Sequence, residues 1–237
     1  MDNKSKRLIN NTIIFFIGSL GSKFIQFFLV PLYTYALTTE QYGVTEIVLT
    51  ASNVLMPIFS VSIADGLLRF GLDKNLKKED VLKNSMLIVL IGTILSIILA
   101  PLFQLYSGLN HWIIYFLLIL NLRIYRDVFA INLKIHNKNM YFALDSIIYT
   151  FVLCAFSVLF LTIFKMGIVG YFMSYIVANI ISIIYLNIVG TPFRDLLKGK
   201  INKVLLHDLI VYSIPMIANG IAWWVITASD RFILQYF

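Results

Sequence analysis

Charge is scarce in this chain: Asp, Glu, Lys and Arg make up 13% of its 237 residues, against about a quarter in a soluble domain. A single cysteine, Cys154, excludes an intramolecular disulfide framework. The three histidines, His111, His136 and His207, are scattered and give no metal-ligand spacing. Long polar sequence is missing too. The longest polar segment is Thr191–Asp208, which leaves no room for a soluble domain. No paired carboxylates, nucleophile–base pattern or glycine-rich phosphate loop stands out. The residues therefore offer no catalytic constellation and require no cofactor.

What fills the chain instead is apolar sequence, 59% of all residues, with a mean hydropathy of +0.86. It falls into seven stretches, at Thr12–Ala36, Val44–Phe70, Ser85–Tyr106, Trp112–Leu133, Tyr141–Phe164, Ile168–Val189 and Leu209–Tyr236. Each is long enough to cross about 30 Å of hydrocarbon as a helix. A barrel strand needs about half that length, and a spanning segment must satisfy its own backbone groups. The pattern predicts an all-α, polytopic membrane helix bundle with seven transmembrane helices. The first stretch is too long for a cleavable signal and six more follow it.

The basic residues alternate from gap to gap. Lys4, Lys6 and Arg7 precede the first stretch; Arg69, Lys74, Lys77, Lys78 and Lys83 lie in or beside the second gap. Arg123, Arg126, Lys134 and Lys138 lead into the fourth, and Arg194, Lys198, Lys200 and Lys203 occupy the sixth. The intervening gaps hold Lys165 alone. By the positive-inside rule the N-terminus is cytoplasmic and odd-numbered helices run outward. The net charge of +7 is explained by topology and anionic lipid headgroups, so nucleic acid is not an expected partner. Tyr33, Tyr35, Tyr42, Tyr106, Trp112 and Tyr115 cluster near the expected outer boundary, where amphipathic rings prefer to sit. Pro31, Pro57 and Pro215 fall inside stretches and predict kinks.

Ionisable groups at membrane depth cost about 2.5–3.5 kcal/mol each on insertion scales, so each needs an explanation. Lys23 falls near the middle of the first stretch, and Arg123 at similar depth in the fourth, with Arg126 one turn further on and Asn121 beside them. These residues suit a cationic, water-accessible cavity that receives an anionic group. The alternative is internal pairing, of Lys23 with Asp65 or Glu46 and of Arg123 with Asp127. Asp65 and Arg69 are spaced for a salt-bridged helix end, while Asp230 and Arg231 could pair between helices or gate. Trp223 and Trp224 could stack on a sugar face or simply pack.

Together these residues resemble a known family. Asn11-Thr12, Gly18-Ser19 and Lys23 come first, then Pro31-Leu32-Tyr33, the run Leu37–Gly43 and Arg69-Phe70. Tyr212-Ser213-Ile214-Pro215 leading to Ser229-Asp230-Arg231 looks like the opening of a second half. In order and spacing they are similar to the lipid-linked oligosaccharide flippases (O-antigen, capsule and teichuronic-acid type) of the multidrug/oligosaccharidyl-lipid/polysaccharide exporter superfamily. The resemblance implies two six-helix lobes related by an axis along the membrane normal. Residues 1–189 would form one lobe, 190–208 a basic cytoplasmic connector, and 209–237 the first helix of a second lobe, so that the chain reads as an N-terminal fragment. It further implies a bacterial cytoplasmic (inner) membrane location and no enzymatic activity. The implied cargo is an undecaprenyl-pyrophosphate-linked oligosaccharide, with the bilayer and other polysaccharide-assembly proteins as partners. Three rivals remain: a cation-coupled multidrug exporter of the same superfamily, an integral-membrane polymerase or ligase, and a structural scaffold. The exporter would want a buried acid in its cavity, the enzyme a sizeable outward loop, and the scaffold no midplane cations.

Overall fold

A backbone in hydrocarbon must satisfy its own polar groups, and this chain does so with helices. The computed structural model describes residues 27–105 and 108–236, except the side chains of Trp224 and of 226–236. Among these residues there are helices and no strands. In order they are α1 (Phe27–Ala36), α2 (Thr39–Phe59), α3 (Ile63–Gly71), α4 (Lys78–Ile98), α5 (Ala100–Gln104), α6 (Ile113–Ile135), α7 (Asn139–Val158), α8 (Gly167–Gly190), α9 (Pro192–Lys198) and α10 (Lys203–Tyr236). A 3₁₀ turn, Asn110–Trp112, precedes α6 and a π turn, Leu159–Ile163, extends α7.

Five described helices are long and apolar enough to cross a membrane: Thr39–Phe59, Lys78–Ile98, Asn139–Ile163, Gly167–Gly190 and Lys203–Trp223. The fourth predicted stretch is the 23-residue helix α6, whose apolar run is interrupted by Arg123, Arg126, Asp127 and Lys134. The first stretch is described only over α1.

Local signals account for the helix ends. Thr38 and Gln41 form a reciprocal capping box at the start of α2, Thr38 N donating to Gln41 Oε1 at 3.1 Å and Gln41 N to Thr38 Oγ1 at 3.2 Å, so both orphan donors are satisfied. The Asn202 side chain accepts from Val204 N at 2.9 Å and caps α10. At the other end of α8, Lys138 Nζ donates to Val189 O at 2.8 Å, placing a cation on a helix C-terminus.

The second predicted span is not continuous. It breaks at Ser60–Ser62, three residues after Pro57, with Val61 and Ser62 both left-handed at φ 52° and 48°. Ser62 N reaches back to Pro57 O at 2.9 Å and Ile63 N to Ser60 O at 3.0 Å, so the interruption stays hydrogen-bonded. Gly92 of α4 lies against this break. A Cβ there would stand 1.8 Å from the Phe59 carbonyl oxygen, so only glycine permits the approach.

Packing divides the chain into two units: Phe129–Pro192 with the chain up to Glu46, and Ile47–Val128 with Phe193 onward. In the first, α7 packs on α8. Along α8 the positions Gly170, Ser174, Ala178, Ser182, Leu186 and Gly190 recur every fourth residue and are all buried. Small side chains at that spacing let two backbones approach where lipid offers no hydrophobic drive to associate. In the second unit α3, α4 and α10 pack together. Helix α4 turns Ser85, Gly92 and Ser96 inward, whereas Leu90, Ile91, Ile94 and Ile98 are exposed. These exposed aliphatics suit a lipid environment, while Leu82, Ile88 and Val89 join the inward face. Gly66 of α3 likewise lies where a Cβ would meet Ser213 Oγ of α10 at 2.5 Å.

Candidate functional site

Within the second unit, polar side chains from three helices meet at mid-span. Arg123 lies ten residues from the first residue of α6 and twelve from its last. Its Nη1 donates to Asn53 Oδ1 on α2. Asn121 Nδ2 donates to Ser96 Oγ on α4 at 3.1 Å, and Thr93 Oγ1 of α4 to Tyr125 OH at 3.2 Å. Arg126 follows three residues after Arg123 and is half-buried, about 4.5 Å further along the axis.

The electrostatics follow from the partner. Arg123 is held by a neutral amide and not by Asp127 four residues on, so the bond positions the guanidinium without cancelling its charge. An arginine keeps that charge at any working pH, and its planar fork suits phosphate oxygens. Asn121 Oδ1 is buried and accepts no hydrogen bond among the described residues. The group can therefore present positive charge to an anionic molecule.

The other expected site residues stand apart. Lys23 lies outside the described residues, as do Asn11, Thr12, Gly18, Ser19 and Tyr106. Asp65 and Arg69 are both exposed on α3, and Glu46 is half-buried on α2. Asp230 and Arg231 belong to the helical backbone of α10, but their side chains, like that of Trp224, are not among those described. Trp223 is exposed. His207 Nδ1 lies 3.6 Å from Asp208, and His136 Nδ1 2.9 Å from Asn132 O. No group of three potential metal ligands occurs among the described residues.

Tyr33, expected near the outer boundary, is buried against neighbouring helices. Its hydroxyl bonds Ser157 at 3.1 Å and its ring lies 4.6 Å from that of Tyr171, so α8 and the α7 segment supply both of the partners an amphipathic ring needs. Tyr35, two residues on, is exposed. A second residue escaped the sequence reading: Asp145 of α7, 1% exposed and accepting the Ser182 hydroxyl of α8. An acid inside an apolar run is the same signal that drew attention to Lys23, and the rule applied to the fifth stretch finds it.

Several apolar helices of spanning length in one chain define a polytopic α-helical membrane protein. The chain belongs to the polysaccharide biosynthesis protein family, whose model matches residues 8–237. No curated protein and no solved structure matches it significantly.

Proposed function

We propose that this chain forms part of a transporter moving an undecaprenyl-pyrophosphate-linked oligosaccharide from the inner to the outer leaflet of the bacterial cytoplasmic membrane. Membership of the polysaccharide biosynthesis family supplies the setting. The observation that carries the reading is Arg123, a guanidinium at mid-helix whose partner is a neutral amide. In the transport cycle the lipid tail stays in hydrocarbon while the pyrophosphate and sugars cross through the polar seam. Arg123, Arg126 and Lys23 replace water around the phosphate oxygens. A membrane potential negative inside favours outward movement of the anion, by about 5 kcal/mol for two charges crossing about 100 mV. On this reading the chain supplies one six-helix lobe and the first helix of a second, and rocking of two lobes gives alternating access. Its N-terminus is cytoplasmic, and other polysaccharide-assembly proteins deliver and receive the cargo. Asp65, Arg69, Asp230 and Arg231 serve pairing or gating between helices.

The test replaces Lys23, Arg123 and Arg126 by alanine in the reading frame that carries this chain, expressed in a flippase-null strain. Surface polysaccharide should be lost while protein level in the membrane holds. Unchanged polysaccharide would reject the cationic site. A second reading, a cation-coupled multidrug exporter, draws on buried Asp145. Proteoliposomes separate the two: translocation of labelled lipid-linked sugar supports the first, drug efflux that depends on Asp145 supports the second.

A further inference from the structure

The segment joining α8 to α10 keeps more apolar surface exposed than a loop in water would. In α9, Phe193 and Leu197 stand four residues apart and are 58% and 85% exposed. Ile201 and Val204 continue the exposed apolar edge. Residues four apart share a helix face, and Arg194 and Lys198 make a second such pair about 100° round the axis. Lys200 and Lys203 add two more exposed cations, against one acid, Asp195, over the same stretch. An apolar edge beside a cationic edge is the pattern of a helix lying in the bilayer interface.

The backbone beneath these side chains is fixed from the inner side. Lys200 N donates to Asp80 Oδ1 at 2.7 Å. Asn84, fully buried, donates its Nδ2 to Lys200 O at 2.9 Å and accepts from Asn202 N at 3.0 Å. Gly199 passes so close that a Cβ would stand 2.2 Å from the Glu79 carbonyl oxygen. The main chain two residues beyond Leu197 is therefore latched to α4 and is not a slack linker. Both flanking helices are long and apolar enough to cross a membrane, and α9 begins two residues after α8 ends. A bilayer surface is consequently within reach of the whole segment.

We propose that residues 192–204 form a lipid-binding strap, with Phe193 and Leu197 inserted at the acyl boundary and Arg194, Lys198, Lys200 and Lys203 bound to anionic headgroups of the same leaflet. Four cations against one acid give the strap the charge complement of an anionic leaflet. The latch to α4 makes it a fixed contact, so lipid composition bears directly on the segment between α8 and α10.

The experiment uses the full chain with Cys154→Ala, so that Leu197→Cys or Lys198→Cys carries a lone nitroxide label. The protein is reconstituted in vesicles of phosphatidylcholine alone or mixed equally with phosphatidylglycerol. Collision with oxygen reports burial in lipid, and collision with a water-soluble nickel chelate reports exposure. The label at 197 should meet oxygen several-fold more readily than nickel, and the label at 198 the reverse. Anionic lipid should deepen the label at 197, and Arg194→Gln with Lys198→Gln should remove that deepening. If nickel reaches position 197 as readily as a label at Lys74→Cys on the 72–77 turn, the strap lies in water and the proposal fails. Shielding from both reagents would mean that protein, such as a second copy, covers it, and equal depth in both vesicle types would remove the headgroup assignment. Phe193→Cys gives the same readout should Leu197→Cys not fold.

Discussion

Asp145 and Arg123 are both ionisable side chains set inside apolar helices, one in each packed unit, and they are held in contrasting ways. Asp145 is nearly inaccessible, accepts the Ser182 hydroxyl across the α7–α8 contact, and lies in a unit where Tyr33 also bonds Ser157. Arg123 is half-buried, shares its unit with Asn121, Tyr125 and Arg126, and bonds a neutral amide. In the first unit polarity joins helices that small residues have already brought together. In the second, the partner of Arg123 is a neutral amide that leaves its positive charge uncancelled. Polar groups inside apolar helices are thus held by a hydroxyl in one unit and by a neutral amide in the other.

The comparison can be broken most severely through Gly92, on which the second unit's close approach depends. Gly92→Val forces a side chain into the Phe59 carbonyl and should cost at least about 3 kcal/mol, enough to remove the folded species. Loss of the monodisperse peak in detergent chromatography would show this. Gly43→Ala, with nothing within 4 Å, should elute normally and is the control. If Gly92→Val folds, the α2–α4 contact is looser than described.

Next in size is the contrast between the two charged residues. Arg123→Ala should reduce lipid-linked sugar translocation roughly ten- to a hundredfold, the worth of a charge-assisted hydrogen bond to cargo. Its thermal melt in detergent should barely move. Asp145→Ala should do the opposite, lowering stability by about 1–3 kcal/mol while the remaining folded protein still transports. Asp145→Asn keeps an acceptor and should lie between Asp145→Ala and the parent. Reversal of these two outcomes would exchange the roles of the units.

The smallest effect is expected at the connector. Asn84→Ala removes two hydrogen bonds to the 199–202 backbone and should cost about 1 kcal/mol or somewhat more. Faster proteolysis near Lys200 in reconstituted protein would register it, with translocation little changed. An unaltered cleavage rate would mean that Gly199 packing alone retains the segment.

Much of the fold was legible because the bilayer makes one demand repeatedly. A run of about twenty apolar residues is readable wherever it occurs, and each of the five long apolar helices overlaps a predicted stretch, although each begins before it. The break at Ser60–Ser62 was not legible, since a serine in an apolar run also fits a continuous helix, its hydroxyl bonding back as Ser60 Oγ does to Met56 O. Only Pro57 hinted at it, and the interruption depends on how closely Gly92 comes, a fact of tertiary packing. The site was legible in its charges and illegible in its partners. Arg123 announced itself by its depth, but Asn53 is seventy residues away, and nothing local says that an amide and not Asp127 receives the guanidinium. Tyr33 is a parallel case: its place near a span end was legible, but its partners Ser157 and Tyr171 were not.

The four-residue ladder on α8 has a drawback that the Asp145–Ser182 bond repairs. Because most of its rungs are alike, sliding α8 by four residues, about 6 Å, would trade one small residue for another and change its buried face little. Shape by itself therefore tolerates more than one vertical alignment. The carboxylate that accepts the Ser182 hydroxyl acts as a detent, favouring the native notch over an alignment that would set Ala178 or Leu186 in that place.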